Sequence, residues 1–372
     1  MTPLEELALL LRPAGGGLYL VSTGRAEQEE LQKRLYGAAS AGEVDARFRE
    51  ALGRIADAKV IVLGIPSDVG AGFRRGANLG PQAMRTRLLE ELPAFPDRAA
   101  ELGIVDIGDV FVVPQLLHDD MLAESQKAAT RAALYPSLSE EARAMLPVSP
   151  LSIAERALDL VFQLNPRVAP VVLGGDHSTA WPVVSALSRA RRHERWGVVQ
   201  PDAHTDLLEH RLGIKICFAT WSWHLNELFH RDGRLVQVGT RASRHDRGHW
   251  ESSLGVRQFW ADECRRDPEG ALDALVAHLE RLGVTGVYFS NDIDGTDSAW
   301  ADATGTPEPD GLEPDFVVAL IRRLGETVGV IGGDVMEVAP PLRDRPDSSE
   351  RTVALAVRYL RETFAAIVRQ PV

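Results

Sequence analysis

The stretch GVVQPDAHTD at residues 197–206 joins a short apolar run to three side chains that can bind metal ions. Short apolar runs bounded by Gly, Pro or Asp are typical of strands buried on both faces, and such strands form parallel sheets. The sequence contains further runs of this kind at residues 59–65, 102–107, 170–173, 235–238, 284–289 and 328–331. Together they predict a largely parallel central sheet.

Segments with a helical spacing of apolar residues separate these strands. Residues 153–164, 268–281 and 313–324 are examples, and Pro314 suits the first turn of the last one. Because strand and helix alternate over roughly 300 residues, we expect one α/β domain of the doubly wound or barrel-like kind. This domain is predicted over residues 58–372.

The first part of the chain departs from this alternation. Residues 1–57 contain two predicted helices, at 26–36 and 43–56, before the first strand. We expect a helical N-terminal extension that packs on the α/β domain or on a neighbouring subunit, as an oligomer contact or a lid. A second departure is the polar, helix-prone insertion at residues 116–150.

Composition limits the class of protein. The 372 residues are 45% hydrophobic but contain no run of about 18 apolar residues and no signal-peptide pattern, so we expect no membrane span. The formal net charge of −12 argues against nucleic acid or an anionic membrane surface as the main partner. Two cysteines, Cys217 and Cys264, do not make a disulfide framework, and a cytoplasmic location is expected.

Four of the predicted strands end in acidic or imidazole side chains. The segments are GGDHS at 174–178, PDAHTD at 201–206, SNDIDGTD at 290–297 and GGDVMEV at 332–338. Ligands of open α/β sheets bind at the carboxyl ends of the strands. GGDHS alone, or the paired aspartates of SNDIDGTD alone, are more typical of a turn or a cap, whereas DAHTD alone fits a metal site as well as a turn. Their joint occurrence at strand ends favours a metal site.

The spacing of these side chains groups them further. Asp202, His204 and Asp206 lie two residues apart, which in an extended chain places them on one face, and Asp292 and Asp294 repeat this spacing. The predicted site contains four carboxylates and two imidazoles: His177, Asp202, His204, Asp206, Asp292 and Asp294. Like charges this close raise one another's pKa, and a pair of divalent cations would compensate them.

The ligand types also indicate which metal fits. Oxygen and imidazole ligands without thiolate suit Mn²⁺, with Ni²⁺, Co²⁺, Fe²⁺ and Zn²⁺ as alternatives. Two such ions about 3.5 Å apart lower the pKa of a shared water and supply hydroxide near neutral pH. The residues alone therefore predict a dinuclear hydrolytic site.

The same motifs resemble those of a known family. GGDHS, DAHTD, SNDIDGTD and DVMEV match, in order, the signature motifs of the arginase/agmatinase (ureohydrolase) superfamily. GIPSD at 64–68, RGANLGP at 75–81 and ATGTP at 303–307 resemble further blocks of it. The resemblance covers residues 59–345. It implies an arginase-like, three-layer α/β/α fold with a mostly parallel sheet of about eight strands.

The resemblance also divides the six candidate ligands between two Mn²⁺ ions. One ion would be held by His177, Asp202, Asp206 and Asp292. The other would be held by Asp202, His204, Asp292 and Asp294. Asp202 and Asp292 would then bridge the two ions.

The reaction implied by the resemblance is attack of water on the guanidinium carbon of a small cationic substrate, with release of urea and an amine. Asp206 would pass the proton to the departing amine. Glu337 would pair with the guanidinium and orient its carbon over the metals. The resemblance further implies a homo-oligomer, a trimer or a hexamer.

Two positions depart from the family pattern. The loop after DAHTD usually carries a histidine, and this chain has Phe218 there, in GIKICFAT at 213–220. Leu208 stands where arginases have an asparagine that contacts the amino-acid head group, so L-arginine is disfavoured. Trp221 is a candidate wall of a cationic pocket, with core packing as the alternative. Glu209 is a candidate partner for a distal ammonium, with plain solvent exposure as the alternative.

Three functions remain open from the sequence. The leading hypothesis is an agmatinase-like manganese hydrolase that cleaves a guanidino compound. A formiminoglutamase-like or small-guanidine hydrolase, the latter with nickel, is the alternative because Phe218 breaks the agmatinase pattern. The third is a metal-binding member of the family without catalytic activity.

Overall fold

Nine strands form one central sheet in the computed structural model, which describes residues 1–372. The strands are β1 Leu11–Arg12, β2 Val60–Ile65, β3 Ile104–Val110, β4 Ala169–Gly174, β5 Gly197–Pro201, β6 Leu235–Thr240, β7 Arg257–Trp260, β8 Val287–Asp292 and β9 Val330–Met336. Their order across the sheet is β1-β3-β2-β4-β9-β8-β5-β6-β7. Strands β2 to β9 are mutually parallel, and only β1 runs antiparallel, against β3.

The seven predicted strands are all present, as β2 to β6, β8 and β9. The sequence did not reveal the two strands at the sheet edges. Strand β1 is two residues long, and β7, with the sequence RQFW, has only two buried residues. Neither segment carries the continuous apolar run of a strand that is covered on both faces.

Fifteen α-helices surround the sheet. They are α1 Pro3–Leu10, α2 Arg25–Tyr36, α3 Ala41–Gly53, α4 Gly80–Glu91, α5 Phe95–Leu102, α6 Glu124–Leu134, α7 Glu140–Arg143, α8 Pro150–Leu164, α9 Ala180–Ala190, α10 Trp221–Leu228, α11 Arg247–Leu254, α12 Ala261–Arg266, α13 Pro268–Arg281, α14 Pro314–Glu326 and α15 Ser348–Val368. None of them has the length and hydropathy needed to cross a membrane.

Two hydrophobic clusters, one on each face of the sheet, make the three layers. Along β2, Val60 and Val62 belong to the cluster that includes α14 and α15, whereas Ile61 and Leu63 belong to the cluster that includes α8 and α9. Side chains alternate between the faces of a strand, so a strand covered on both faces must be apolar throughout. The predicted α/β/α architecture, with a mostly parallel sheet, is confirmed.

The predicted helices form because their apolar residues repeat along one face. Helix α13 has the predicted bounds, α8 begins three residues earlier than predicted, at Pro150, and α14 begins at Pro314. Each of the three has a proline in its first turn, where the missing amide hydrogen is not needed.

The N-terminal region contains more structure than the two predicted helices, which are α2 and α3. Helix α1 precedes them, and β1 adds an antiparallel edge to β3. Glu6 forms a two-pronged ion pair with Arg156 of α8, and Phe48 and Ile55 are buried in the core cluster of that face. The region therefore packs on the α/β domain within the same chain.

Candidate metal centre

Four adjacent strands in the middle of the sheet, β4, β9, β8 and β5, end at one edge. The segments that follow or complete these strands carry His177, the DAHTD stretch at 202–206, the Asp292–Asp294 pair and Glu337. Parallel strands align their carboxyl ends, so side chains that lie far apart in sequence come together there.

His177 is fully buried and faces three carboxylates. Its Nδ1 lies 3.1 Å from Asp292 Oδ2, 3.2 Å from Asp202 Oδ2 and 3.3 Å from Asp206 Oδ2. The candidate ligand atoms of His177, Asp202 and Asp292 all lie within 4.8 Å of one another. This first triad has the compactness that a single metal ion requires.

A second triad shares one residue with the first. His204 Nδ1 lies 3.1 Å from Asp294 Oδ2 and 3.6 Å from Asp202 Oδ1, and the ligand atoms of the three residues again lie within 4.8 Å. Asp202 thus turns one oxygen toward His177 and the other toward His204. The two triads together outline two neighbouring cation positions.

The local backbone differs from the extended chain that the two-residue spacing suggested. Strand β5 ends at Pro201, and Asp206 has a left-handed φ of 52°. Asp202 Oδ1 accepts the backbone N–H of His204 at 2.6 Å, and Asp292 Oδ1 accepts that of Asp294 at 2.9 Å. The expectation of an extended strand is wrong here, because these aspartates close tight Asx-type turns.

Electrostatics at the site favour added positive charge. Burial and repulsion by Asp202 raise the pKa of Asp206 to about 6. Burial, with repulsion by Asp294 and Asp202, raises the pKa of Asp292 well above its usual value. Burial alone would lower the pKa of His204, but Asp294 and Asp202 raise it to about 12. Divalent cations would relieve this repulsion, and a set of carboxylates and imidazoles without thiolate fits them.

The hydroxyl of Ser290 and the carboxylate of Asp334 orient the ring of His177 from the side opposite the three carboxylates. Its Nε2 lies 3.1 Å from Ser290 Oγ, and that hydroxyl donates to Asp334 at 3.0 Å. Ser290 and Asp334 are register neighbours on β8 and β9. Because the Ser290 hydrogen is used on Asp334, Nε2–H is the donor to Ser290, which leaves Nδ1 free for a metal. Sequence reasoning missed both residues, and the only signal was a polar side chain inside an apolar strand.

Trp221 lies beneath the cluster, which corrects the expectation that it walls a substrate pocket. It is fully buried, its Nε1 donates to Asp206 Oδ2 at 3.0 Å, and its ring centroid lies 4.6 Å from that of His177. The core-packing alternative therefore describes it, and its hydrogen bond fixes the direction of the Asp206 carboxylate.

Glu337 is buried next to His177 and has a left-handed φ of 62°. Its Oε1 accepts the backbone N–H of His177 at 3.0 Å, and its own N–H donates to Gly175 O at 2.9 Å. A Cβ on Gly175 would lie 1.8 Å from Ser67 O, so only glycine allows the backbone at 175 to pass this close to the backbone of Ser67. Burial and repulsion by Asp176 raise the pKa of Glu337 well above its usual value.

The remaining predicted residues lie on the loop that follows the DAHTD stretch. Phe218 is half-buried, and its N–H donates to Gly70 O at 3.2 Å. The Arg211 guanidinium lies 4.7 Å from the centre of the Phe218 ring. Leu208 and Glu209 are exposed, and the Glu209 side chain has no hydrogen bond or ion pair in the structure. Glu209 is not part of either triad.

The fold and the site together define an α/β protein with a candidate two-metal centre, and comparison with known proteins identifies the family. The sequence model described as the Arginase family matches residues 58–365. A guanidinobutyrase of Pseudomonas aeruginosa is 30% identical over 313 residues, covering 82% of this chain and 85% of that protein. A mitochondrial agmatinase of Gallus gallus is 31% identical over 313 residues, covering 82% of this chain and 80% of that protein.

A solved structure, that of proclavaminate amidino hydrolase from Streptomyces clavuligerus, is also similar. It has a TM-score of 0.65 and 28% identity, over 84% of this chain and 92% of that one. The chain belongs to the arginase family, whose relatives named here are hydrolases of guanidino C–N bonds. The predicted superfamily is thereby confirmed.

The hydrogen bond of Trp221 gives a first test of the centre. Trp221→Phe keeps a ring against His177 but removes the donor to Asp206, so we expect the affinity for Mn²⁺ to fall about 10-fold or more. Calorimetric titration measures this affinity, and thermal unfolding of the metal-free protein measures any loss of folding. Trp250→Phe, which removes a similar bond to Ser243, is the matched control. Equal Mn²⁺ affinity in the two variants would contradict the role of Trp221.

Proposed function

We propose that the protein is a dinuclear-metal hydrolase that converts a small guanidino compound to urea and an amine. The observation that carries this proposal is the pair of overlapping triads that share Asp202. Membership of the arginase family supports the reaction type. Mn²⁺ is the metal we propose first, because the site offers oxygen and imidazole ligands only.

We assign the metal ligands by combining these triads with the family resemblance. One ion would be held by His177, Asp202, Asp206 and Asp292. The other would be held by Asp202, His204 and Asp294, with Asp292 added by the family resemblance. When bound, the two ions lower the pKa of a water and so supply a nucleophile near neutral pH.

The protein's own side chains bind and orient the substrate. Glu337 presents a buried carboxylate at the wall of the site, and a guanidinium would bind it with two charge-assisted hydrogen bonds. Burial strengthens this attraction, because the surrounding dielectric constant is low. The bond from His177 N–H holds the Glu337 carboxylate in one orientation. We infer that a substrate bound there would turn its planar carbon toward the two triads.

Asp206 is the group we assign to proton transfer. Its carboxylate lies at the first triad, 3.3 Å from His177 Nδ1, and the family resemblance assigns to it the transfer of a proton to the departing amine. Trp221 fixes one carboxylate oxygen and leaves the other free for this exchange. The family histidine of the following loop is absent, so Asp206 carries this step without it.

Urea release tests the proposed function directly. The Mn²⁺-loaded protein should release urea from one or more of agmatine, guanidinobutyrate, guanidinopropionate, arginine and guanidine. Asp202→Ala and Asp292→Ala should reduce turnover by roughly 10³-fold or more, because each removes a ligand shared by both ions. Asp315→Ala, at a largely exposed aspartate, is the control and should keep full activity.

Two outcomes would redirect the proposal. Formamide from formiminoglutamate, with no urea from the panel under Mn²⁺ or Ni²⁺, would establish the amidine alternative. A protein that binds two metal ions but turns over nothing would establish the non-catalytic alternative. Full activity in Asp202→Ala would contradict the dinuclear assignment itself.

Agmatine is the default substrate from the sequence, and one observation favours guanidino acids as a second candidate. Arg211 stacks on Phe218, and its guanidinium forms no ion pair or side-chain hydrogen bond in the structure. Phe218 in turn contacts Gly70, whose N–H donates to Asp176, the residue before His177. Arg211 thus offers a free cation on the loop beside the centre. A carboxylate at the far end of the substrate would pair with it, whereas the ammonium of agmatine would be repelled.

Replacing this cation gives a specificity test. Arg211→Gln should weaken kcat/KM for guanidinobutyrate about 10-fold, the loss of one charge-assisted bond, and leave that for agmatine unchanged or raised. Lys215→Gln, which neutralises another cation of the same loop, is the matched control. Equal effects of Arg211→Gln on both substrates would show that Arg211 supports the loop and does not contribute to substrate specificity.

We propose a homo-oligomer, a trimer or a hexamer as in relatives, with the N-terminal region as a candidate contact. Tyr19 and Val21 of that region are largely exposed, at 78% and 74%. Light scattering of the purified protein should give three or six times the chain mass. The mass of a single chain, at concentrations where the enzyme is active, would contradict the oligomer.

A further inference from the structure

Three glutamines form a row beneath the candidate metal centre. Gln200, Gln237 and Gln258 lie on the adjacent strands β5, β6 and β7 and are paired in register. All three are completely buried. A buried amide without partners costs free energy, so the hydrogen bonds of these side chains decide what the row does.

The side chains form one continuous chain of hydrogen bonds, which we name the amide ladder. Trp260 Nε1 donates to Gln258 Oε1 at 3.0 Å, and Gln258 Nε2 donates to Gln237 Oε1 at 2.8 Å. Gln237 Nε2 donates to Gln200 Oε1 at 3.0 Å, and Gln200 Nε2 donates to Asp202 Oδ2 at 2.8 Å. The ladder therefore runs from the edge strand β7 to the carboxylate that both triads share.

The two ends of the ladder determine its direction. An indole N–H can only donate, so Gln258 must turn its oxygen toward Trp260. An ionised carboxylate can only accept, so Gln200 must turn its nitrogen toward Asp202. In the middle, Gln237 Nε2 also donates to the backbone oxygen of Thr205, which again excludes the flipped amide. Each amide has one orientation that satisfies its neighbours, and all donors point toward Asp202.

We propose that the amide ladder positions Asp202 as the shared metal ligand. Aligned amides polarise one another, so the Gln200 N–H is a stronger and more rigid donor than an isolated amide. It fixes Oδ2 toward His177, while the N–H of His204 fixes Oδ1. The ladder also holds Thr205 and hence the turn that carries the other ligands of the DAHTD stretch. This inference rests on the proposed metal site.

A purely structural role would be satisfied by other residues. When both partners of a buried amide pair are replaced by apolar side chains of the same shape, the net cost is small. The hydrogen bond is lost, but the cost of removing two polar groups from water is avoided. A packing role does not require that all donors point in one direction, or that the last donor bonds to a ligand carboxylate. Ser222, which donates to Gln200 Oε1 at 2.7 Å, adds a further donor on the same side.

Methionine variants of the ladder separate the two roles. Gln200→Met should lower the affinity for Mn²⁺ about 10- to 100-fold, as loss of a group bonded to a ligand does. Gln237→Met should lower it less, by about threefold or more, and Trp260→Phe least of all. Thr240→Val is the control, because the Thr240 hydroxyl on the same strand as Gln237 is buried and makes no hydrogen bond. It should bind Mn²⁺ as the unaltered protein does.

Mn²⁺ titration by calorimetry and the electron paramagnetic resonance signal of a coupled Mn²⁺ pair give readouts that do not depend on turnover. A graded loss of affinity along the ladder, with a weaker pair signal in variants whose metal-free form is still folded, would support the proposal. Unaltered affinity and signal in folded Gln200→Met and Gln237→Met would overturn it. If a glutamine variant does not fold, Trp260→Phe, at the half-buried end of the ladder, is compared with Thr240→Val: a weaker pair signal in Trp260→Phe supports the ladder, and an equal signal overturns it.

The same measurements separate this inference from the proposed function. An unaltered protein that binds no pair of Mn²⁺ ions would overturn the metal site and the ladder together. An unaltered protein that binds the pair, with variants that bind it equally well, would overturn the ladder alone.

Discussion

The repulsion between buried carboxylates at one edge of the sheet constrains the rest of this structure. Asp202, Asp206, Asp292 and Asp294 lie within a few ångströms of two imidazoles and are almost completely excluded from water. Charges of one sign in such surroundings raise one another's pKa and oppose folding. A stable fold must therefore hold each carboxylate in a direction where a cation, a histidine or a fixed hydrogen-bond donor meets it.

The parallel sheet meets this constraint through its interior side chains. Ser290 and Asp334 hold His177 from two neighbouring strands, Trp221 holds Asp206 from the start of a helix, and Gln200 holds Asp202 from within β5. These groups belong to regular, closely packed elements, so their positions vary little. A site supported in this way is arranged before a metal or a substrate binds, which lowers the cost of binding and of catalysis.

The sequence predicted seven of the nine strands and a set of candidate metal ligands that the structure brings together, but it did not predict how the site is supported. Seven strands could be predicted from apolar runs alone, because a strand covered on both faces is apolar at nearly every position. The short edge strands β1 and β7 have no such run. Ser290 and Gln237 contact partners on strands distant in the chain, and their roles depend on register, which a single sequence does not specify. The spacing of Asp202 and His204 suggested an extended chain, because alternation and an Asx-type turn give the same pattern of residues.

Chemistry and specificity occupy different parts of this molecule. The candidate ligands and Glu337 lie at or just beyond strand ends that the sheet holds in place, whereas Phe218 and Arg211 lie on a loop outside the sheet. The chain departs from the family pattern on this loop, at Phe218, and keeps the pattern at the strand ends. In the proposed mechanism Glu337 orients the reacting carbon, so a change on the loop would alter which far end of a substrate is accepted. The cleavage of the guanidino bond remains a property of the sheet edge.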